Sequence, residues 1–315
     1  MDEVGQGATA PQAVDPVTSR GPGTTRKRAS RQALLTSDGV RIDAEHLPAR
    51  TPGDLAFVVA HGFTGALERP AVRRAAQEFG RYGAVITFSF RGHGTSGGRS
   101  TVGDREQLDL DAAIAWARRL GYAKVVTVGF SMGGSVVLCQ AGSGTGEPVD
   151  AVVSVSSPAR WYYRGTAPMR RLHWAVLHPV GRVAARWGLR VRVHPEDWDP
   201  VPPSPTQAVP FIAPVPLLVV HGDRDAYFPL DHPHALAAAA GDGAELWIEA
   251  GFGHAENAAE PRLLHRIGAW VLARTGPGAD PGRAAEPAGL RPRAPEASSW
   301  TARGPAEPAA RALDS

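Results

Sequence analysis

Six short apolar runs, separated by stretches of helical spacing, restrict the fold of this chain more than any other feature of its 315 residues. The runs lie near residues 55–60, 84–89, 124–129, 150–155, 215–221 and 244–249. Helices are predicted near residues 69–81, 104–120, 132–141, 231–240 and 258–273. The second helix is expected to start at a capping pair, Asp104 and Gln107. Apolar strands that alternate with helices are typical of a largely parallel sheet covered on both faces, so the sequence predicts an α/β fold.

The segment before these runs has the pattern of a hairpin. Two strand-like halves between Ala33 and His46 flank Ser37-Asp38-Gly39, and Asp-Gly is a favoured turn between antiparallel strands. We therefore expect an antiparallel edge at the N-terminal side of the sheet.

The third apolar run leads directly into Gly129-Phe130-Ser131-Met132-Gly133, a G-x-S-x-G pentapeptide. A chain that passes from a strand into a helix through so tight a turn needs residues without a Cβ on both sides of the serine. The serine would then lie exposed at the end of the sheet, with the N-terminus of the next helix directed toward it. This arrangement predicts that Ser131 is a nucleophile.

A serine nucleophile needs a general base and a third group that orients the base. The fifth apolar run ends in a loop that contains two acids, Asp223 and Asp225, and the sixth run is followed by His254. Ser131, Asp225 and His254 would then follow three different strands in the order nucleophile, acid, base. Asp223 is the alternative acid.

The oxyanion of a tetrahedral intermediate needs hydrogen-bond donors. The first apolar run ends in His61-Gly62-Phe63-Thr64-Gly65, where glycine lets the backbone turn so that the N–H of Phe63 faces the site. The N–H of Met132, next to the predicted nucleophile, would be the second donor. Both predicted donors of the oxyanion hole are therefore main-chain groups.

Together these motifs resemble those of the α/β-hydrolase superfamily, in particular its serine aminopeptidase and monoglyceride lipase-like members. The resemblance covers about residues 33–275 and includes the loop Ser89-Phe90-Arg91-Gly92-His93-Gly94-Thr95-Ser96. The chain departs from the family at Ser89, where members usually have Asp.

The resemblance also implies roles for individual residues and a class of reaction. Asp225 and Pro229 match the family's Asp-x-x-x-Pro pattern, which favours Asp225 over Asp223 as the acid. Members of this type hydrolyse an ester, thioester or amide through an acyl-enzyme, without a metal or organic cofactor. We therefore expect the α/β-hydrolase fold, with a mostly parallel sheet, an antiparallel N-terminal hairpin, helices on both faces and a small cap.

The strand and helix alternation stops between about residues 158 and 214, which is where the resemblance implies the cap. One apolar face at helical spacing could close over the pocket and comprises Met169, Leu172, His173, Val176, Leu177 and Val180. Pro179 is expected to end this helix.

The predicted cap also carries eight arginines interleaved with aromatic residues. They are Arg160, Arg164, Arg170, Arg171, Arg182, Arg186, Arg190 and Arg192. One interpretation is that some of them receive an anionic group of the substrate or lie against an anionic membrane. The interpretation that we prefer from the sequence is that they form a solvated helix face and stack on the aromatic rings.

Other side chains that could perform chemistry have simpler interpretations. His61, His93 and His221 are expected to hydrogen-bond loops. The single cysteine, Cys139, is expected to be a small apolar residue on the helix after Ser131. The histidines of the cap lack a second set of ligands at metal spacing, so we predict no metal site.

Composition and length are consistent with one soluble catalytic domain. Hydrophobic residues make up 43% and charged residues 21% of the chain, and the formal net charge of +3 gives no reason to expect a nucleic-acid partner. No apolar run approaches transmembrane length and the first 30 residues lack the core of a signal peptide, so we expect a cytoplasmic protein. The predicted hydrolase domain spans residues 32–275, between disordered tails at 1–31 and 276–315.

The sequence thus predicts a serine hydrolase that cleaves a carboxylic ester of small or medium acyl length. A small-molecule acyl compound is the expected partner. The alternatives are an amidase or aminopeptidase, an acyltransferase, and a non-catalytic binding protein of the same fold.

Overall fold

A mixed sheet with helices on both faces forms the core of the computed structural model, which describes residues 29–51 and 53–276. Its strands are β1 Ser30–Leu35, β2 Arg41–Leu47, β3 Leu55–Ala60, β4 Ala84–Phe88, β5 Lys124–Phe130, β6 Ala151–Val155, β7 Leu217–Gly222 and β8 Ala244–Glu249. Its helices are α1 Pro70–Phe79, α2 Glu106–Arg119, α3 Met132–Gly142, α4 Ala167–Leu177, α5 Pro179–Ala184, α6 Pro205–Ala208, α7 Asp231–Ala240, α8 Ala255–Ala258 and α9 Pro261–Thr275. A π-helical turn spans Ala185–Leu189, and short 3₁₀ turns span Val209–Phe211 and Gly241–Gly243.

The eight strands pair in the order β1-β2-β4-β3-β5-β6-β7-β8. β1 pairs with β2 and β2 with β4 in antiparallel orientation, and every other pair is parallel. β3, β4, β6 and β7 are buried at every residue, which explains why they read as unbroken apolar runs rather than alternating ones. The predicted α/β fold with its N-terminal hairpin is confirmed.

Alternate residues of each central strand belong to two separate cores, one on each face of the sheet. On one face, Val58 packs in the same cluster as Leu110 of α2 and Val137 of α3. On the other face, Phe57 stacks on Phe79 of α1, with ring centroids 5.1 Å apart. The carboxyl ends of the parallel strands between these cores form the edge where the candidate site lies.

The start of α2 differs from the prediction, because the capping pair Asp104 and Gln107 does not form. The helix begins at Glu106, and Gln107 bonds only to the backbone carbonyl of Asp104. The Glu106 carboxylate instead accepts the N–H groups of residues 101–103 at 2.9–3.2 Å. This buried carboxylate thus accepts the backbone N–H groups of the loop before the helix rather than those of the first helical turn.

The ends of the domain also differ from the predicted boundaries. Ser30 and Arg31, which the sequence assigned to the N-terminal tail, belong to β1, and Arg31 bonds Asp43 of β2. The predicted final helix is divided into α8 and α9. The rest of the predicted tails, residues 1–28 and 277–315, lies outside the described residues.

The segment between β6 and β7, here called the insertion (residues 158–214), contains α4, α5, the π-helical turn and α6. α4 ends at Leu177 and Pro179 opens α5, so the apolar pattern that the sequence suggested for one helix extends over two. Val180, predicted to share the apolar face, is 63% exposed. No helix among the described residues combines the length and apolarity needed to cross a bilayer.

Candidate active site

Ser131 occupies a sharp turn between β5 and α3, with φ 51° and ψ −114°. Such a conformation is unfavourable for a residue with a side chain and persists only where the surroundings enforce it. A Cβ on Gly129 would lie 2.2 Å from the carbonyl oxygen of Gly133, and one on Gly133 would lie 2.3 Å from that of Ala60. Both flanking positions therefore require glycine, as the pentapeptide indicated.

His254, which follows β8, contacts both Ser131 and Asp225. Its Nε2 lies 2.9 Å from the Ser131 Oγ, and its Nδ1 lies 2.7 Å from the Asp225 Oδ2. Because the carboxylate can only accept, Nδ1 carries the proton and Nε2 accepts the hydroxyl hydrogen of Ser131. The structure therefore joins the three residues in one line of hydrogen bonds.

The carboxylate of Asp225 is buried and hydrogen-bonded on both oxygens. Its Oδ1 accepts the N–H groups of Tyr227 at 2.8 Å and Phe228 at 3.0 Å. Burial by itself would raise the pKa of Asp225, but the hydrogen bonds and the nearby His254 hold that pKa below its ordinary value. Asp225 is thus kept ionised beside the imidazole.

Asp223 lies in the same loop but serves a different group. Its Oδ1 accepts the N–H of Gly251 at 2.7 Å, in the turn that precedes His254. His221, at the end of β7, has its Nε2 2.8 Å from the carbonyl oxygen of Phe228. Of the two acids that the sequence offered, the structure brings Asp225 to the histidine.

The direction of the Phe63 N–H is set by buried contacts of the preceding residue. The Gly62 carbonyl oxygen accepts the His61 Nδ1–H at 2.7 Å and the N–H of Gly65 at 2.8 Å. In a trans peptide the N–H points away from the carbonyl, so these two bonds orient the N–H of Phe63. Neither that N–H nor the N–H of Met132 has a hydrogen-bond partner among the described residues.

His61 is neutral in this arrangement. Its Nε2 accepts the N–H of Phe90 at 3.1 Å, which assigns the remaining proton to Nδ1. Burial, together with the neighbouring His93, lowers the pKa of His61 to about 3. His93 lies within hydrogen-bond distance of the Phe63 carbonyl oxygen, at 2.6 Å from Nε2. Both histidines hold this loop, in keeping with the sequence interpretation.

Glu256 is a further residue of the site that sequence reasoning missed. Its Oε1 accepts the N–H of Gly62 at 3.0 Å, while its Oε2 is buried without a hydrogen-bond partner among the described residues. A Cβ on Gly62 would lie 3.2 Å from both carboxyl oxygens and 3.4 Å from the Cβ of Ser131. Burial raises the pKa of Glu256 above its ordinary value. The only sequence signal for its role is its position two residues after His254.

The comparison with protein families agrees with the sheet order and the turn at Ser131. A family model described as the alpha/beta hydrolase fold matches residues 56–169. This match and the solved structures described below show that the chain has the α/β-hydrolase fold. The matched range includes the loop after β3 and the turn after β5.

A curated relative and several solved structures resemble this chain. Over 138 residues it is 34% identical to the Escherichia coli (strain K12) protein named "Putative esterase YheT", a match that spans 40% of this chain and only 39% of that relative. The Pyrococcus furiosus esterase Pf2001 shares the fold with a TM-score of 0.62 and 22% identity, over 78% of this chain and 90% of that one. Est1E of Butyrivibrio proteoclasticus, whose structure holds ferulic acid, has a TM-score of 0.54 and 19% identity, over 77% and 98% of the two chains.

Two cavities meet at Ser131. The first has an apolar lining that includes Met169, Leu172 and Val176 of α4 and excludes His254. The second is wider, and its lining includes His254 and the exposed Arg171. Ser131 therefore borders both an apolar space and an open one.

Within residues 29–51 and 53–276, no three His, Cys, Asp or Glu side chains are grouped as metal ligands would be. The buried Cys139 lies on α3 with its Sγ 3.6 Å from the carbonyl oxygen of Pro203, and burial raises the pKa of its thiol to about 12.

Proposed function

We propose that the protein is a serine hydrolase that cleaves a carboxylic ester through an acyl-enzyme. Ser131 is the nucleophile, His254 is the general base and acid, and Asp225 orients His254. The observation that carries the proposal is the line of hydrogen bonds from Asp225 through His254 to Ser131, at 2.7 and 2.9 Å. This geometry is what proton transfer from a hydroxyl requires.

Acylation follows from the protonation states of these groups. As the Ser131 Oγ bonds to the acyl carbon, its proton passes to the His254 Nε2, and Asp225 stabilises the resulting imidazolium. The N–H groups of Phe63 and Met132 donate to the oxyanion, where one such donor is worth about a hundred- to a thousand-fold in rate. His254 then gives the proton to the leaving alcohol as the bond from the acyl carbon to the leaving oxygen breaks.

Deacylation repeats these steps with water in place of the alcohol. His254 removes a proton from water as the water oxygen bonds to the acyl carbon, and returns a proton to Ser131 as the acid leaves. Every group needed for both halves is a side chain or backbone N–H of this chain.

The two cavities support an orientation for the substrate. The general acid must reach the leaving oxygen, so the leaving group belongs in the wide cavity that His254 lines. The acyl group then extends into the apolar cavity below α4, which suits a small or medium aliphatic or aromatic acid. The insertion acts as a cap, because α4 forms the wall of that cavity opposite the sheet.

An amidase or aminopeptidase and an acyltransferase remain alternatives, because the same three residues serve all of these reactions. A binding protein is disfavoured by the strained turn at Ser131 and the two unpaired N–H groups, which binding alone does not need. The esterase names of the relatives support the proposed hydrolysis of an ester by analogy.

The test is covalent labelling of the full chain with a fluorophosphonate, followed by intact mass measurement. We expect one adduct on the wild type and none on Ser131→Ala. Ser135→Ala is the matched control, because Ser135 lies one turn later in α3 and its Oγ is 3.3 Å from that of Ser157. An unlabelled wild type that unfolds cooperatively, or labelling that survives Ser131→Ala, would refute the proposal.

A second measurement separates the three reactions. Nitrophenyl esters of increasing acyl length and the matching anilides would be compared by kcat/KM, with an added alcohol as competing acceptor. Preferential turnover of anilides would favour the amidase alternative, and transfer to the alcohol in excess of hydrolysis would favour the acyltransferase.

A further inference from the structure

The outer side of the insertion has an unusual charge distribution. Residues 160–193 contain eight arginines and no aspartate or glutamate. Among the described residues only one of these arginines, Arg160, has a carboxylate partner, the exposed Asp231 at 2.7 Å. Arg170 and Arg182 donate to backbone carbonyls, which leaves their charges uncompensated. The segment therefore carries a concentrated positive charge.

The same segment exposes large apolar side chains. Those of α4 and α5 with the following π-helical turn are Trp174 (50% exposed), Leu177 (38%), Val180 (63%), Val183 (58%) and Trp187 (77%). We call these residues, with the exposed Arg170, Arg171, Arg186 and Arg190, the arginine surface. Single exposed apolar residues are ordinary, but a group of this size on consecutive helices indicates a surface that binds another protein, a membrane or a ligand.

Three of these apolar residues, Val180, Val183 and Trp187, line neither cavity, whereas Leu177 borders the apolar cavity and Trp174 the wide one. α4 directs Met169, Leu172 and Val176 into the apolar cavity, and these are buried or half-buried. On the following helical segment, Val180, Val183 and Trp187 recur at intervals of three and four residues, which places them on one side.

α4 and α5 are in close contact, which holds their exposed side chains on neighbouring helices. α4 and α5 approach so closely at Gly181 that a Cβ there would lie 2.3 Å from the Trp174 carbonyl oxygen. The close approach of α5 therefore places its exposed Val180 and Val183 beside α4.

The arginine surface also adjoins the mouth of the candidate site. Arg170, Arg171 and Trp174 line the wide cavity that reaches Ser131 and His254. A partner bound to this surface would thus lie at the entrance through which an acyl compound reaches Ser131.

We propose that the arginine surface docks the protein on an anionic lipid layer. Apolar and indole side chains enter the interface between head groups and acyl chains, and arginine guanidinium groups pair with anionic phosphates. The charge selects this occupant, because exposed arginines in a segment without acidic residues, together with two exposed tryptophans, complement both the charge and the apolar interior of an anionic lipid layer. Docking is a binding property that does not depend on turnover.

The test is flotation of the full chain with vesicles of phosphatidylcholine, alone or mixed with phosphatidylglycerol. We expect strong binding to the mixed vesicles only, weakened by added salt. Trp187→Ala should lower the affinity about ten-fold or more, from the apolar area withdrawn. Arg171→Gln and Arg186→Gln should each lower it about five-fold.

Matched variants control for exposure and charge elsewhere. Phe211→Ala removes an aromatic ring that is 72% exposed outside the arginine surface, and Arg119→Gln removes an exposed arginine on α2. Both should bind vesicles like the wild type. Ser131→Ala should also bind fully, so failure of the hydrolase proposal would not alter this result.

Three outcomes would overturn the proposal. The first is absence of binding to the mixed vesicles. The second is binding that survives Trp187→Ala but is lost when Arg26-Lys27-Arg28, which lies outside the described residues, is changed to serines. The third is a concentration-dependent dimer that Trp187→Ala dissociates, which would make the surface an interface between copies of the chain.

Discussion

The carboxyl group of Glu256 accepts the N–H of Gly62 at 3.0 Å, one peptide away from the predicted oxyanion donor Phe63. The Gly62 carbonyl is held by His61 on the other side of the same residue. Buried side chains therefore hold the peptides on both sides of Gly62, the second of which carries the Phe63 N–H: His61 is the preceding residue, and Glu256 is 194 residues away. Small displacements of such a donor have large effects on rate.

We predict that Glu256→Ala lowers kcat about ten- to a hundred-fold and leaves KM little changed. The loss follows because the Gly62 N–H loses its acceptor and the Phe63 N–H is no longer held in line with the oxyanion, which forms only in the transition state. Glu256→Gln retains the acceptor oxygen and should keep most of the activity. Steady-state kinetics on the best ester would measure both variants.

A control variant distinguishes positioning from loss of stability. Asp111→Ala removes another carboxylate that accepts a backbone N–H, that of Glu147 at 2.9 Å, far from Ser131. Glu256→Ala and Asp111→Ala should lower the unfolding temperature comparably, but only Glu256→Ala should lower kcat. Equal losses of kcat in Glu256→Gln and Glu256→Ala would contradict positioning through the acceptor oxygen.

Replacement of the two acids after β7 should have unequal effects. Asp225→Asn should lower kcat by about ten-thousand-fold, because the amide favours the wrong tautomer of His254. Asp223→Asn keeps an oxygen that can accept the Gly251 N–H and should change kcat little. Single-turnover acylation of both variants is the measurement, and a larger loss for Asp223→Asn would show that the acid is misassigned.

His232 should make unfolding depend on pH. Its Nδ1 accepts the N–H of Ala159 at 2.9 Å, and burial lowers its pKa to about 4. Between about pH 6.5 and pH 4 the unfolded chain therefore binds a proton that the folded chain does not, so the free energy of unfolding falls as pH falls.

The contribution of His232 is isolated by comparison with His232→Asn, whose amide oxygen can accept the same N–H. The slope of unfolding free energy against pH should be smaller in the variant, by at most about 1.4 kcal/mol per pH unit. Urea unfolding at several pH values measures it. Identical slopes for wild type and variant would mean that His232 is protonated in the folded protein.

Cys139 should be inert in the folded protein. Its thiol is buried on α3 with a pKa of about 12, so the reactive thiolate is scarce at neutral pH and inaccessible. Iodoacetamide should add to the chain only in denaturant, as judged by intact mass. Rapid alkylation of the native protein would contradict the packing around α3.

The strands and the nucleophile turn could be predicted because local physics determines them. A strand buried on both faces must be apolar throughout, and a turn in which a Cβ would lie 2.2–2.3 Å from a carbonyl oxygen must contain glycine. Ser131, Asp225 and His254 could be placed in order because each follows a strand. The structure brings the three side chains within hydrogen-bond distance, and covalent labelling tests whether Ser131 reacts as a nucleophile.

The remaining features depend on contacts between distant residues. Glu256 and Gly62 are 194 residues apart. From the local sequence alone, a glutamate in a loop near a histidine is expected to be exposed to solvent. The end of the helix before Pro179 could be predicted, but the close approach of α5 to α4 at Gly181 could not, because the apolar spacing does not encode it. Glu106 serves the loop before α2 for the same kind of reason, because burial rather than sequence position decides its partners.

The three proposed catalytic side chains follow β5, β7 and β8, whereas the insertion leaves the sheet after β6 and returns before β7. The proposed catalytic side chains therefore lie outside the insertion, which forms part of the wall of the apolar cavity together with residues such as Phe63 and Phe228. Exchange of residues 158–214 for a segment of another shape would redirect substrate choice while leaving the proton path intact. Specificity could therefore be changed by replacing the insertion while the sheet and the residues that follow its strands are kept.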